Sequence, residues 1–387
     1  MRKAIGHLIT GTWMFCLLWA LASCSREAAE DPDVPSGGEM TLNIGFKIPT
    51  RATADGYEDG ETHESYIDIA GGNYRIYFFD TDNKFIAGFA PSGFITADGS
   101  DYHQYNVLGK APDALVEHTT FKMVVLANWP EYPESANTPP TAGVTTITDI
   151  CDASWAQYAC LTDGNETNPT AVALDPDADR LMPFYGVHEY SNVTFKPGVA
   201  TILSDPVTML RAMAKVEVIL DTDDDISITK AKVTGYNKKG YCAPADVFSQ
   251  SDYGQGNDWQ TDYLSELHLI NNQNDENATT RSLSLRKREK DSETKWIAYL
   301  PEYRNRSVKD KYARLELKFS FQEDSDSPYL IYFAEYDENG KTDNSQEDLR
   351  LDIERNNIYR FKVKVSPLLL QVLVEKWEFG GKVHIDM

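Results

Sequence analysis

The sequence predicts an all-β protein: two antiparallel β-sandwich domains behind an N-terminal export segment, with few short helices. Three observations predict it. Apolar residues recur at every second position through much of the chain, as in half-buried strands. Turn residues punctuate those runs. No long helical stretches interleave them, as a parallel α/β sheet would require.

Taken in order, the chain opens with Arg2 and Lys3 and then a mostly apolar stretch, 4–23, that includes WMFCLLWALA. A charged start, an apolar middle and small residues before a break describe a secretory signal peptide, here 1–23. A membrane-spanning helix is the other reading of such a length. Against it, His7, Thr10, Gly11 and Thr12 dilute the first half, and no positive cluster follows. Leu21-Ala22-Ser23-Cys24 resembles the bacterial lipobox, in which the peptidase cuts before the cysteine and the thiol forms a thioether to diacylglycerol. Cys24 is therefore expected to carry the lipid and tether the chain to the outer membrane, since several acyl chains on one residue anchor stably.

Cleavage there leaves 364 residues (387 less 23), enough for two ordinary domains. The net charge of −23 becomes −25 once Arg2 and Lys3 are gone. So acidic a surface is repelled by nucleic acid and by anionic lipid, and it suits a body held off a membrane by a tether. Of the five cysteines, Cys16 leaves with the signal and Cys24 is lipidated, so Cys151, Cys160 and Cys242 remain. Three do not make a disulfide framework. A Cys151–Cys160 loop and three buried free thiols both stay open.

Residues 24–39 form an acidic linker, with two prolines and two glycines among charges and no apolar period. An N-terminal sandwich domain is expected over 40–204 and a C-terminal one over 205–387. TLNIGFKI (41–48) alternates cleanly, with Leu42, Ile44, Phe46 and Ile48 on one face. YRIYFFD and KFIAGF flank Asp80-Thr81-Asp82-Asn83 as in a hairpin. FKMVVLANW (121–129), AKVEVIL (214–220) and ARLELKFSF (313–321) follow the same half-polar rule. YLIYFAEY runs into Asn339-Gly340, a tight-turn pair. Short helices are expected at 152–161 and 258–270. The boundary near 204 is set where ATILSDPVTML crosses a proline before RAMAKVEVIL opens a fresh strand.

Nothing in the pattern calls for catalysis, a metal or a cofactor. The seven histidines are scattered singly, without HExxH or CxxC spacing, and no Walker, GxGxxG or GxSxG motif occurs. DTDDD (221–225) lacks the glycine and distal glutamate of an EF-hand loop and reads as a solvated turn. RKREK (286–290), the one basic run, reads as a hairpin tip. The chain's 60 acidic residues offer many carboxylate pairs of glycosidase type and no pattern that selects one. The aromatics (21 Tyr, 16 Phe, 7 Trp) belong in a β-rich core or, for a glycan binder, on an exposed platform.

The lipobox, the acidic linker, a first strand ending near TRA, a mid-chain LRAMAKVEV and a late IERNNIYRFKVKV followed by VLVEKW resemble, in that order, the fimbrillins of Bacteroidetes. These are type V pilus subunits of the FimA and Mfa groups. Leu210, Arg211, Ala214 and Lys215 stand where that family opens its second domain. Arg355, Asn356, Asn357 and Tyr359 match the lead into a late strand, and LMPFYG (181–186) a segment closing the first domain. The resemblance spans nearly the whole mature chain through short, degenerate motifs. It implies two transthyretin-like sandwiches, export as a lipoprotein, and assembly with other pilus subunits on the cell surface. A trypsin-like protease would cut after an arginine, releasing lipid and first strand together, and a strand of another subunit would fill the vacancy. An adhesive member would also meet a receptor on a host or bacterial surface.

The residues bear on this independently of the family. Arg51-Ala52 directly follows the alternating strand, at the start of a polar, glycine-bearing stretch where a protease finds extended chain; a plain surface arginine is the other reading. Losing 41–48 would uncover the partners of four apolar side chains, about 6–12 kcal/mol at roughly 1.5–3 kcal/mol each. That compares with about 5–15 kcal/mol for the whole stability of a typical domain. A groove so costly to leave empty would accept an incoming strand. WEFGGKVHIDM offers one: Trp377, Phe379, Val383, Ile385 and Met387 alternate with polar residues, interrupted at Gly380-Gly381. It reads equally as a donor for a neighbour and as the last strand of its own domain. If 41–48 stays, a membrane-retained fimbrial anchor or a glycan-binding surface lipoprotein is the reading. A hydrolase with an acidic pair is a third.

Overall fold

The structure is a computed structural model describing residues 40–49, 52–53, 56–57, 64, 66–72, 74–98, 102–128, 139–151, 158–159, 181–222, 225–237, 239–240, 282–290, 293–306, 312–334, 336, 350–366 and 369–376. All of these lie in one compact unit, Glu39–Met387.

In chain order the first elements are β1 (Thr41–Pro49), β2 (Ala52–Thr53), β3 (Gly56–Tyr57), β4 (Tyr74–Phe79), β5 (Phe85–Phe89), β6 (Gly93–Asp98), β7 (Tyr102–Lys110) and β8 (Phe121–Ala127). There follow α1 (Ile147–Cys151), β9 (Tyr158–Ala159), β10 (Phe184–Tyr190), β11 (Ala200–Ile202), β12 (Val207–Thr208) and β13 (Leu210–Arg211). Most of them build two sheets. In one, β1 is interior: it runs antiparallel to β7 along its whole length, from Thr41↔Lys110 to Pro49↔Tyr102. On its other side β11 and then β12 lie parallel to it, and β6 forms the edge beyond β7. The other sheet has the order β13-β10-β8-β4-β5, antiparallel throughout.

The turn joining β4 and β5 forms at the residues read as a hairpin. Asn83 takes the left-handed conformation (φ 62°), and the Asp80 carboxylate accepts the backbone N–H groups of Asp82 and Lys84, both at 2.9 Å. The inward faces of the two sheets share a core, and Phe46 of β1 comes within 6.1 Å of Tyr74 of β4, ring to ring. The segment of β12 also crosses close over β10. A Cβ on Gly186 would stand 2.7 Å from both Met209 Sδ and Val207 Cγ1, so only glycine allows that approach.

The second set comprises β14 (Ala214–Leu220), β15 (Ile228–Thr234), β16 (Lys239–Gly240), β17 (Ser282–Ser284), β18 (Arg286–Lys290), β19 (Glu293–Leu300), β20 (Arg314–Phe319), β21 (Tyr329–Tyr332), β22 (Ile358–Ser366) and β23 (Leu369–Lys376). Its sheets run β18-β19-β14-β22-β23 and β17-β15-β20-β21. Phe333, just past β21, packs edge-on against Phe361 of β22 at 5.2 Å. In the four larger sheets membership changes between Arg211 and Ala214, because β12 and β13, beyond residue 204, still pair with the first set; the small β9–β16 pair crosses that division.

The fold is all-β and its sheets are mostly antiparallel, as expected. Within them β1 with β11 and β12, and β14 with β22, are parallel pairs. Parallel neighbours need long connections, and these partners lie far apart in the chain. Two expectations need correction. The stretch 152–161 is not a helix where it is described, since Tyr158–Ala159 is β9 and pairs with Lys239–Gly240. A helix does form just before it as α1, started by the reciprocal bonds of Thr146 and Asp149; 258–270 lies outside the described residues. Finally, RKREK is an edge strand, β18, rather than a hairpin tip.

Because Phe46 is fully buried and stacks on Tyr105 at 5.6 Å, Phe46→Ala is expected to cost about 3–5 kcal/mol of stability. Urea denaturation with an unchanged slope would register it; a change under about 1 kcal/mol would contradict this packing.

Candidate functional site

Two sites emerge: the seat of β1, and the junction between the two sets of sheets. At the first, alternation puts Leu42, Ile44 and Phe46 on the inward face, all at 0% exposure. Ile48 pairs with His103 in the ladder, and its side chain is outside the described residues. β1 is thus held on both edges and one face. On the chain's way out of it, Ala52 begins β2, which forms a small ribbon with β3 through Ala52↔Tyr57. Cys24 and Arg51 lie outside the described residues, as do Trp377, Phe379, Val383, Ile385 and Met387. The strand leading to the latter, β23, pairs along β22 from Ser366↔Leu369 to Tyr359↔Lys376, at a sheet edge.

The second site gathers three of the motifs that carried the family resemblance. LMPFYG meets LRAMAK where the Ala212 N–H donates to Pro183 O at 2.9 Å and the Arg211 guanidinium lies over the Phe184 ring. ERNN joins them. Asn356, left-handed at φ 59° as asparagine tolerates, donates its N–H to Met213 O at 2.9 Å. Its side-chain oxygen accepts the Arg211 N–H at 3.2 Å, and the Lys215 N–H reaches Asn357 O at 2.9 Å. Arg355 makes a buried pair with Glu302, at 2.8 Å through Nε and 3.2 Å through Nη2.

Sequence reading missed the centre of this junction. Lys215 and Glu217 fall on what looked like the solvent face of AKVEVIL, but both are buried. Glu64 lies over that face. There Lys215 Nζ sits 2.7 Å from Glu64 Oε1 and 2.7 Å from Glu217 Oε1, and Arg360 Nε sits 2.8 Å from Glu217 Oε2. Tyr299 donates its hydroxyl to Glu64, and Arg211 Nε donates to the Glu64 carbonyl at 2.8 Å. Ile67 and Ile69 continue the strap into the core. Its signal in the sequence was charged residues on a strand otherwise rich in Val, Ile and Leu, and their partner Glu64 is distant in the chain.

Burial opposes ionisation of Glu217, but the charges of Lys215 and Arg360 outweigh it and hold its carboxyl at about 2 against 4.5. Burial likewise opposes charging Lys215, and the facing Glu64 and Glu217 overcome it, raising its pKa. The arrangement fixes the chain at Glu64 against β14. Among the described residues no group of three or more His, Cys, Asp and Glu is placed to hold a metal ion. Among the described residues of the second set, the exposed rings of Phe321 and Tyr329 stand at 69° to each other.

No family model matches the chain, and no curated protein does. Among solved structures it is similar to the C-terminally truncated tip fimbrial protein Mfa3 of Porphyromonas gingivalis, at 14% identity over 87% of this chain and 100% of that one, with a TM-score of 0.44. It is similar to a candidate cell adhesion protein of Bacteroides eggerthii, at 17% identity over 90% and 98% of the two chains, TM-score 0.44. The fimbrial anchor protein Mfa2 of Porphyromonas gingivalis is another, at 10% identity over 88% and 98%, TM-score 0.31.

Lys215→Met leaves Glu64 and Glu217 buried beside each other with one cation fewer, an expected loss of about 3–5 kcal/mol. The folded pKa of Glu217 lies below its free value. Its stabilisation is therefore complete above pH 4.5 and fades as pH falls toward about 2. Denaturation midpoints across that window should fall for the wild type, and this fall should be smaller for Glu217→Gln. A pH profile identical in both chains would contradict the assignment.

Proposed function

We propose that this chain is a structural and adhesive subunit of a type V-like pilus on the cell surface, built of two sandwich domains and without catalytic activity. It is exported as a lipoprotein on Cys24, matured by cleavage at Arg51–Ala52, and assembled by exchange of its first strand. One observation carries the reading: the strand between the lipidation residue and the candidate cleavage bond is an interior strand of a sheet, buried along its inward face. Its three described inward side chains alone represent roughly 4–9 kcal/mol of burial. Cutting after β1 gives a chain that is whole except for one seat, and that seat calls for a replacement strand. Residues 377–387 of another copy are the candidate donor. If β1 is retained, the same chain serves as a lipid-held anchor.

A second reading, a glycan-binding surface lipoprotein, has in its favour the exposed rings of Phe321 and Tyr329, 52% and 37% accessible. One measurement separates the two: the N-terminus and intact mass of the protein from its native cell surface. A chain beginning at Ala52 without acyl mass is the expected result. A chain beginning at acylated Cys24 ends the polymerising reading and leaves the anchor and the glycan binder.

A further inference from the structure

Gly45 lies midway along β1, between the buried Ile44 and Phe46, on the outward face opposite Asn106. Its two flanks are closed. On one side the Asn106 side-chain oxygen accepts a hydrogen bond from Gln104 Nε2 at 3.0 Å, so the two amides form a bar along β7. On the other side the neighbouring chain leaves β1 after Ile202 and rejoins it at Val207, and Pro206 fills the gap. A Cβ at position 45 would stand 3.1 Å from Asn106 Oδ1, 3.2 Å from Pro206 Cβ and 3.5 Å from Gln104 Nε2. The proline ring cannot swing aside, and the amide is held by its partner. A methyl group there demands a shift of its neighbours, and a larger side chain overpacks the sheet.

We infer that this clasp sets the register of whatever strand occupies the seat, and that the occupant is residues 377–387 of a second copy, seated with Gly380 in the place of Gly45. The inference rests on the strand-exchange reading above. With Trp377, Phe379, Val383, Ile385 and Met387 turned inward, the residue under the clasp must come from Glu378, Gly380, Lys382, His384 and Asp386. Only Gly380 lacks a side chain. Reversing the direction of the donor leaves this result unchanged, because reversal does not alter which residues alternate inward. Gly381 then falls on the buried face, level with Phe46 or, in the reversed direction, with Ile44. The adjacent glycines thus have opposite roles: position 380 has to be empty, whereas position 381 leaves space unfilled.

The test uses the mature chain cut by an arginine-specific protease, with labelled synthetic peptides of sequence 377–387 in excess. Gly380→Val in the peptide should weaken binding about tenfold or more, while Gly381→Leu should bind as tightly as the natural sequence or more so. Equal losses from both, or no loss from Gly380→Val, overturn the proposal. A second measurement does not depend on exchange. In the uncut chain Gly45→Val should lower the melting temperature, with Gly45→Ala in between, and the drop should shrink in a Pro206→Gly background. A Gly45→Val chain that melts with the wild type overturns the clasp even if the protein polymerises. If no peptide binds while Gly45→Val still melts low, the second-copy occupant and the exchange reading fall together.

Discussion

The ammonium of Lys215, set 2.7 Å from two carboxylates, is the contact on which the arrangement of this molecule depends. It joins β14, the first strand of the second set of sheets, to the strap that follows β1 in the chain. Isolated, each of these charges would be costly to bury. Together Glu64, Glu217, Lys215 and Arg360 balance two negative charges with two positive ones, and Tyr299 and Arg211 satisfy further acceptors of Glu64. The geometry is demanding, and that demand gives it a use. A hydrophobic patch would let the strap slide along the sheet, whereas a lysine bridging two named carboxylates admits one position.

That position matters because of what precedes it. Between β1 and Glu64 the described chain makes only the short β2–β3 ribbon. β1 itself is seated by side chains that face the shared core of the first set. Apolar burial is strong in total but tolerant of the identity of the strand that supplies it. Any extended segment with large apolar residues at alternate positions can satisfy that face. The ion cluster has no such tolerance. Contacts tolerant of identity therefore hold the first strand, and contacts without that tolerance hold Glu64.

Much of this was legible in the sequence, and the reasons are physical. The two-residue period of TLNIGFKI identified the inward face of β1, because a strand with one buried side must alternate. The Asp80–Asn83 turn was legible because its chemistry is local. What depends on distant partners was not. AKVEVIL alternates in the same way as a strand with one wet face, and nothing within it reveals that Glu64 will cover its polar side. Tyr158–Ala159 is extended because residues 239–240 pair with it, a tertiary fact that no local propensity records. The motifs LMPFYG, LRAMAK and ERNN were recognisable by their order, but their common purpose appears only when they meet at one junction.

That convergence also indicates what a resemblance in short motifs measures here. Arg211, Lys215, Arg355 and Asn356 lock the two sets of sheets and the strap together. Residues of this kind are constrained by many partners at once, since each substitution strands a buried donor or acceptor. The seat of β1 is constrained differently, by size and polarity at alternate positions and by the close neighbours of Gly45. On the strand-exchange reading these two properties belong in different places: the seat would take a strand from another molecule, and the frame around it would keep its shape meanwhile.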